Sequence, residues 1–162
     1  MPKHPWRALI VLLIICRLQG APVAGDWVAY DEETGNPASV IRLTVNQAGN
    51  LEGRIVEILW TPPEIGPNPV CQKCPEPFTD KPLQGLRILW NLEPLEGDSQ
   101  RWKGGWLLDP RSGNLYRCQV NLDTPDRLEL RGYVGLPLFG KTRTWVRHSA
   151  ADLDSKAAQG GD

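Results

Sequence analysis

The apolar residues of this 162-residue chain occur in short runs in which apolar and polar positions alternate, and turn-forming residues separate the runs. No stretch of ten or more residues repeats its apolar positions every ~3.6 residues, as an amphipathic helix would. Alternation with a period of two, bounded by turn residues, is typical of half-buried β-strands. The pattern predicts eight strands, at residues 27–30, 40–45, 51–60, 86–92, 102–108, 115–122, 127–134 and 141–147.

The same alternation predicts which side chains point into the protein. In the third strand the apolar phase changes near Gly53, which indicates a bulge or a bend. The inward positions of three later strands are predicted to be Leu86, Ile88, Trp90 and Leu92, then Tyr116, Cys118, Val120 and Leu122, and then Leu128, Leu130 and Val134.

Hairpin-type turns at residues 46–50 and 109–113 join neighbouring strands, so the order is that of a meander. A meander of eight strands closes most simply as an up-and-down barrel, because closure removes the exposed edges. A β-sandwich is the alternative, since periodicity does not separate the two. We therefore predict an all-β domain with an eight-stranded up-and-down barrel.

One long connection, residues 61–85, interrupts this rhythm. It holds seven of the chain's fifteen prolines and the motif Cys71-Gln72-Lys73-Cys74. Long connections in compact domains are usually lids, binding loops or disordered segments. The prolines limit disorder here, and a disulfide between Cys71 and Cys74 would limit it further. A strapped loop with no other role is the alternative interpretation.

The beginning of the chain has the features of a secretory signal peptide in their usual order. These are the basic residues Lys3 and Arg7, an unbroken apolar run at 8–16, and the small residues Gly20, Ala21 and Ala24. The apolar run is far shorter than the ~20 residues of a membrane-spanning helix.

The domain boundaries follow from this signal. We predict a signal peptide at 1–24, with cleavage after Gly20 or Ala21 as alternatives, a barrel domain at 25–148, and a disordered tail at 149–162. The tail has mostly small and polar residues. Export places the cysteines in an oxidising compartment, where the Cys71–Cys74 disulfide is expected to form.

Charge excludes one class of partner. Three of the 18 basic residues lie in the predicted signal, so the rest of the chain has 15 basic and 19 acidic residues and a net charge of −4. It contains no run of Lys and Arg, and nucleic-acid affinity comes largely from such clusters. We expect no nucleic-acid partner and no transmembrane segment in the mature chain.

Few residues are suited to catalysis. His148 is the single histidine outside the predicted signal, and it borders the predicted tail, where a base cannot be held for nucleophilic catalysis. Structural zinc sites usually have two paired ligand blocks, and this chain has one. Redox cysteine pairs lie at helix N-termini, whereas prolines flank this one. We predict no catalytic residues, no metal and no cofactor, and we interpret Cys118 as a buried core thiol.

Aromatic residues are the remaining candidates for a binding site. Six tryptophans lie outside the predicted signal. An eight-stranded barrel either holds one small ligand or is filled by its own side chains. The predicted ligand-binding residues are Trp27, Trp90, Trp106 and Tyr116, and a packed aromatic core is the alternative.

Two ends of the domain resemble the lipocalins. Gly25-Asp26-Trp27 on the first strand resembles their Gly-x-Trp motif, and the last strand carries Arg143 and Arg147. In lipocalins a basic residue of the last strand packs across the indole and closes the base of the barrel. The resemblance implies a closure formed by Trp27 with Arg143 and Arg147, and a guanidinium stacks well on an indole.

The whole domain resembles the bacterial family DUF2147 in seven ordered blocks over residues 25–147. The blocks are Gly25-Asp26-Trp27 with Asp31, Glu52 to Val56, Cys71-x-x-Cys74, Pro82 to Leu86, Leu108 to Tyr116, Arg131 to Gly135, and Gly140 to Trp145. This resemblance implies export in a Gram-negative bacterium, to the periplasm or outside the cell, and a lipocalin-like barrel. It implies no established activity.

The functional prediction is a non-enzymatic exported protein that binds a small apolar or amphipathic ligand in its barrel. The alternative is a cell-envelope protein that docks a partner through the proline-rich loop 61–85.

Overall fold

The computed structural model describes residues 22–149, so most of the predicted signal peptide and nearly all of the predicted tail lie outside the described residues. Eight antiparallel strands follow one another around a closed barrel, and the first strand pairs with the last. The strands are β1 (Gly25–Tyr30), β2 (Pro37–Val45), β3 (Leu51–Ile58), β4 (Arg87–Leu95), β5 (Asp98–Leu108), β6 (Leu115–Thr124), β7 (Arg127–Tyr133) and β8 (Lys141–Arg147). The predicted barrel is confirmed.

The alternating direction of the strands gives the barrel two distinct ends. The connections β1–β2, β3–β4, β5–β6 and β7–β8 lie at one end, which we call the mouth. The other three connections and both ends of the described chain lie at the opposite end, the base. A short 3₁₀ helix (Pro137–Phe139) lies in the β7–β8 connection.

The interior of the barrel is filled by large side chains. Those that are almost completely buried include Trp27, Ile41, Leu43, Leu51, Leu89, Leu92, Leu128 and Leu130. Glycines admit this packing, because a Cβ at Gly53 would crowd Leu43 and Leu89. A Cβ at Gly105 would collide with Leu92. Interior side chains thus occupy the space in which a lipocalin-like barrel would hold a ligand.

The predicted inward phase is correct for β6 and only partly correct around β4. Leu86, Ile88 and Leu92 are buried as predicted, but Trp90 is half-buried, and Leu89, which the prediction did not include, is fully buried. Leu89 lies opposite Gly53 and Leu92 lies opposite Leu51, so the two β4 positions are three residues apart while their β3 partners are two residues apart. The extra residue is accommodated at Asn91, which has a positive φ of 55°. A second irregularity follows between Gly53 and Arg54. These bulges bring Leu89 and Leu92 to the inner face together.

The base is closed around one indole. Trp27 is fully buried and its Nε1 donates to the carbonyl oxygen of Val23 at 2.9 Å. The guanidinium of Arg147 lies 4.3 Å from the centre of the Trp27 ring. The same group donates to the carbonyl oxygens of Pro125 at 2.7 Å and Pro22 at 2.9 Å. Arg147 therefore ties both ends of the described chain to the buried indole.

Arg143 was predicted beside Arg147 but lies elsewhere. It is four residues nearer the mouth on β8, roughly 13 Å along an extended strand. There its Nε pairs with the carboxylate of Glu32 at 2.8 Å. Arg143 thus belongs to the mouth, and closure of the base involves Arg147.

Candidate functional site

The β3–β4 loop, residues 59–86, packs against the mouth. Cys71 and Cys74 form a disulfide, as predicted, and both are buried in the same cluster as the barrel core. The loop also contacts the β5–β6 turn, since the Sγ of Cys71 lies 3.7 Å from the carbonyl oxygen of Pro110. Gly113 of that turn is so close to the backbone of Lys73 that a side chain there would collide with it. The loop is therefore an anchored part of the mouth.

Ion pairs connect turns at the mouth. Arg111 of the β5–β6 turn pairs with Asp31 and, at 3.2 Å, with Glu33 of the β1–β2 turn. Asp31 is buried and accepts hydrogen bonds from the backbone N–H and the hydroxyl of Thr34. These bonds, helped by the charge of Arg111, hold the pKa of Asp31 below its ordinary value. The negative form of Asp31 is thus the one the fold favours.

A cleft of about 300 Å³ lies among these charges. Its cations and anions are balanced, and two of the three cations are already in ion pairs with its own carboxylates. Such a cleft has little free charge to attract a ligand. It is lined by Glu32, Glu33, Lys73, Asp109, Arg111, Ser112 and Arg143.

A larger groove of about 540 Å³ lies between the loop and strands β3 and β4. Its charged lining consists of Arg54, Lys81 and Arg87, and no acidic residue lines it. Among the described residues, none of these three cations is in an ion pair. Its other lining residues are Pro77, Phe78, Pro82, Gln84, Gly85 and Leu86. We call this feature the cationic groove.

Two cations of the groove face each other across neighbouring strands. Arg54 of β3 and Arg87 of β4 are directly opposite partners in the sheet. Like charges in that position destabilise a sheet unless something compensates them. Arg54 donates to the carbonyl oxygen of Gly85 at 3.3 Å, and Arg87 lies 5.4 Å from the centre of the Trp90 ring. Neither contact supplies a negative charge.

Aromatic rings continue from the groove along the outer face of the barrel. Phe78 lies against Trp90, with ring centres 5.5 Å apart. Trp90 is opposite Trp106, and Trp106 is opposite Arg117, whose guanidinium lies 4.6 Å from the Trp106 ring centre. Arg117 is in turn opposite Tyr133. The row lies outside the barrel, because its members alternate along their strands with interior residues such as Leu89 and Cys118. Its members on the strands are Trp90, Trp106, Arg117 and Tyr133.

The four predicted ligand residues therefore do not form one site. Trp27 is at the base, while Trp90 and Trp106 are neighbours on the outer face. Tyr116 shares the inner face with Cys118 near the mouth, next to Gly132. The sequence interpretation missed Arg54, Lys81 and Arg87. Two outward arginines in neighbouring predicted strands, with a lysine in the long loop, were the available signal.

Cys118 is the free cysteine among residues 22–149, and it is buried. Burial raises the pKa of the Cys118 thiol to about 12, so it is a poor nucleophile. Within residues 22–149, no three His, Cys, Asp or Glu side chains are close enough to hold a metal ion. In that same part of the chain, no helix is long and apolar enough to cross a bilayer.

Comparison with known proteins agrees with this geometry. The model of a family described as uncharacterised proteins conserved in bacteria, DUF2147, matches residues 25–147. Protein HP1028 from Helicobacter pylori, described as a member of the lipocalin family, has a similar structure with a TM-score of 0.67. The two are 17% identical, and the match covers 83% of this chain and 88% of that one, which shows a shared fold. No curated protein sequence matches the chain.

Proposed function

This chain belongs to the DUF2147 family, and we propose that it is an exported, non-enzymatic protein that binds a small amphipathic molecule. The site of binding in this proposal is the cationic groove, and the ligand has one anionic group and an apolar part. The compartment is the periplasm or the outside of the cell, as the signal-like beginning of the chain indicates.

The observation that carries the proposal is the uncompensated charge of the groove. Arg54, Lys81 and Arg87 converge there without a carboxylate. A ligand carboxylate, sulfate or phosphate would relieve the repulsion between the two arginines and accept charge-assisted hydrogen bonds. Phe78 and the neighbouring prolines offer an apolar wall for the rest of the ligand.

Binding inside the barrel is less favourable, although the fold is lipocalin-like. A ligand there would displace packed side chains such as Leu43 and Leu89, and dense interiors have little spare volume. It would also have to pass the anchored loop. The groove is open to solvent and requires neither change.

Binding is measured by titrating the protein with dodecanoate and with dodecanol while following tryptophan fluorescence and heat. We expect saturable binding of dodecanoate that quenches emission, because Trp90 is in contact with Phe78 and Arg87 of the groove. Replacing Trp90 by Phe should remove most of the quenching. Dodecanol should bind more weakly, since it lacks the charge.

Charge variants locate the site. Arg54→Gln and Arg87→Gln should each weaken dodecanoate binding by about tenfold to a hundredfold, the range of one charge-assisted hydrogen bond. Arg127→Gln is the matched control, because Arg127 is an exposed arginine at the base. The groove would be refuted if all three variants bound dodecanoate as tightly as the native protein and dodecanol bound as tightly as dodecanoate. The ligand would then be placed in the barrel interior.

The second candidate is docking of a protein partner through the loop. The observation that favours it is the exposure of Ile65 and Val70 on a loop that the disulfide and the β5–β6 turn hold in place. Photo-crosslinking from position 70 in the native cell envelope would test this. One discrete adduct, lost in Ile65→Ser, supports a partner, and the absence of any adduct counts against it.

A further inference from the structure

The connection between β7 and β8 carries the four most exposed large apolar side chains of the described residues. Val134, Leu136, Leu138 and Phe139 are each between 63% and 79% exposed, while the next large apolar residue, Ile65, is 52% exposed. We call residues 134–139 the apolar tip. A contiguous exposed apolar cluster marks an interaction site more often than a single exposed residue does.

The apolar tip is held in a defined conformation. Arg131 of β7 donates from Nε to the carbonyl oxygen of Pro137 at 2.7 Å and from Nη2 to that of Leu138 at 3.1 Å. Its Nη1 donates to the hydroxyl of Thr142 at 2.8 Å. The Arg131 guanidinium thus holds the backbone of the 3₁₀ helix in place, while the apolar side chains are exposed to solvent.

The chain on both sides of the tip is basic. Residues 130–149 contain no Asp or Glu. Arg131 contacts carbonyl and hydroxyl oxygens, so its charge is not neutralised, and Lys141 has no ion pair among the described residues. Arg117 of β6 lies opposite Tyr133, the residue at which β7 ends and this connection begins. Apolar side chains flanked by cations and amphipathic rings are typical of protein surfaces that enter a lipid interface.

The size of the tip argues against a second copy of the chain as its occupant. A stable protein interface engages about 20–30 residues on each side. The tip offers four exposed apolar side chains on one short connection. A fluid interface adapts to such a cluster, and insertion needs only a few apolar side chains combined with electrostatic attraction.

We propose that the apolar tip inserts into the interface of an anionic lipid membrane, with Arg131, Lys141 and Arg117 near the headgroups. Insertion would bring the mouth and the cationic groove to the membrane surface, because all three lie at the same end of the barrel. The proposal is independent of the ligand, since it rests on the tip alone.

The test is flotation of the intact protein with vesicles of phosphatidylcholine and phosphatidylglycerol at 3:1, compared with phosphatidylcholine alone. We expect binding to the anionic vesicles that decreases with added salt. Leu138→Ser with Phe139→Ser should reduce that binding at least about tenfold, because both apolar contacts are lost. The melting temperature should stay unchanged, since both side chains are exposed in the folded protein.

Two controls separate the possible outcomes. Ile65→Ser removes an exposed apolar residue from another loop at the mouth and should leave vesicle binding intact. Arg127→Gln, which removes an exposed arginine at the base of the barrel, should also leave it intact. Absence of vesicle binding by the native protein, or equal binding by the double variant, would overturn the proposal. A dimer in sedimentation that the double variant abolishes would assign the tip to a second copy and overturn it too.

Discussion

The base and the mouth of this barrel are closed by different kinds of interaction. At the base, a fully buried indole is covered by one arginine that also binds backbone carbonyl groups. At the mouth, closure depends on a short disulfide loop and on ion pairs whose arginine, Arg111, is half exposed. Buried aromatic packing contributes several times more stability than exposed ion pairs do. From this comparison we expect the mouth to open more readily than the base.

The largest expected effect comes from removing the indole at the base. Trp27→Ala should lower the free energy of unfolding by about 3–5 kcal/mol, because it leaves a cavity and separates Arg147 from its ring. Urea denaturation followed by circular dichroism measures the loss. Trp106→Ala, on the outer face, is the control and should cost clearly less. If both variants lost the same free energy of unfolding, closure of the base would contribute no more stability than the outer face does.

A smaller effect is expected from removing the Cys71–Cys74 disulfide of the loop at the mouth. Cys71→Ala with Cys74→Ala should lower the free energy of unfolding by about 2 kcal/mol, the chain-entropy value for so short a loop. The same variant should accelerate proteolysis within residues 61–85 while the strand signal in circular dichroism stays native. Cys118→Ala is the control, since that cysteine is unpaired and buried in the barrel. Unchanged proteolysis of the loop would show that the disulfide does not anchor it.

The smallest effect is expected from the ion pairs. Asp31→Asn should cost about 1 kcal/mol or less, because the partner Arg111 is half exposed and the amide still accepts the bonds from Thr34. A double-mutant cycle with Arg111→Gln isolates the pair. Coupling much larger than this would mean that the mouth is as firmly closed as the base.

The pH dependence of that contribution has a definite sign. The pKa of Asp31 is lowered in the folded state, so its stabilising effect is fully present above the unfolded-state pKa. The effect is lost as the pH falls below about 4 and passes through the folded-state pKa. Between pH 5 and pH 2 the native protein should therefore lose more stability than Asp31→Asn does. The difference should be at most ~1 kcal/mol, the contribution of the ion pair. Identical acid profiles would show that Asp31 makes no such contribution.

The strands and their order could be predicted from the sequence because alternation and turns are local properties. The phase of β4 could not, because bulges shift it by a residue, and the positive φ of Asn91 is a tertiary requirement. Val134 shows a second limit. It was predicted to point inward at the end of a strand, yet β7 ends at Tyr133 and Val134 is exposed. Periodicity assumes that apolar positions are buried, and an interaction surface breaks that assumption.

The candidate site was harder to predict than the fold. The long loop and its disulfide were visible in the sequence, but its contact with Gly113 depends on how two distant turns meet. The cationic groove combines residues from β3, β4 and that loop. The strand register places Arg54 opposite Arg87, and this pairing brings the two positive charges together. Sequence spacing contains no such cross-strand information.

The seam between β1 and β8 has a kinetic consequence. All other strand pairs join neighbours along the chain, whereas this seam joins its two ends through two residue pairs, Trp27 with Arg147 and Val28 with Val146. Local hairpins form early, and a contact across more than a hundred residues has to wait for them because loop closure costs entropy. We therefore expect the rate-limiting event in folding to be the docking of β1 on β8.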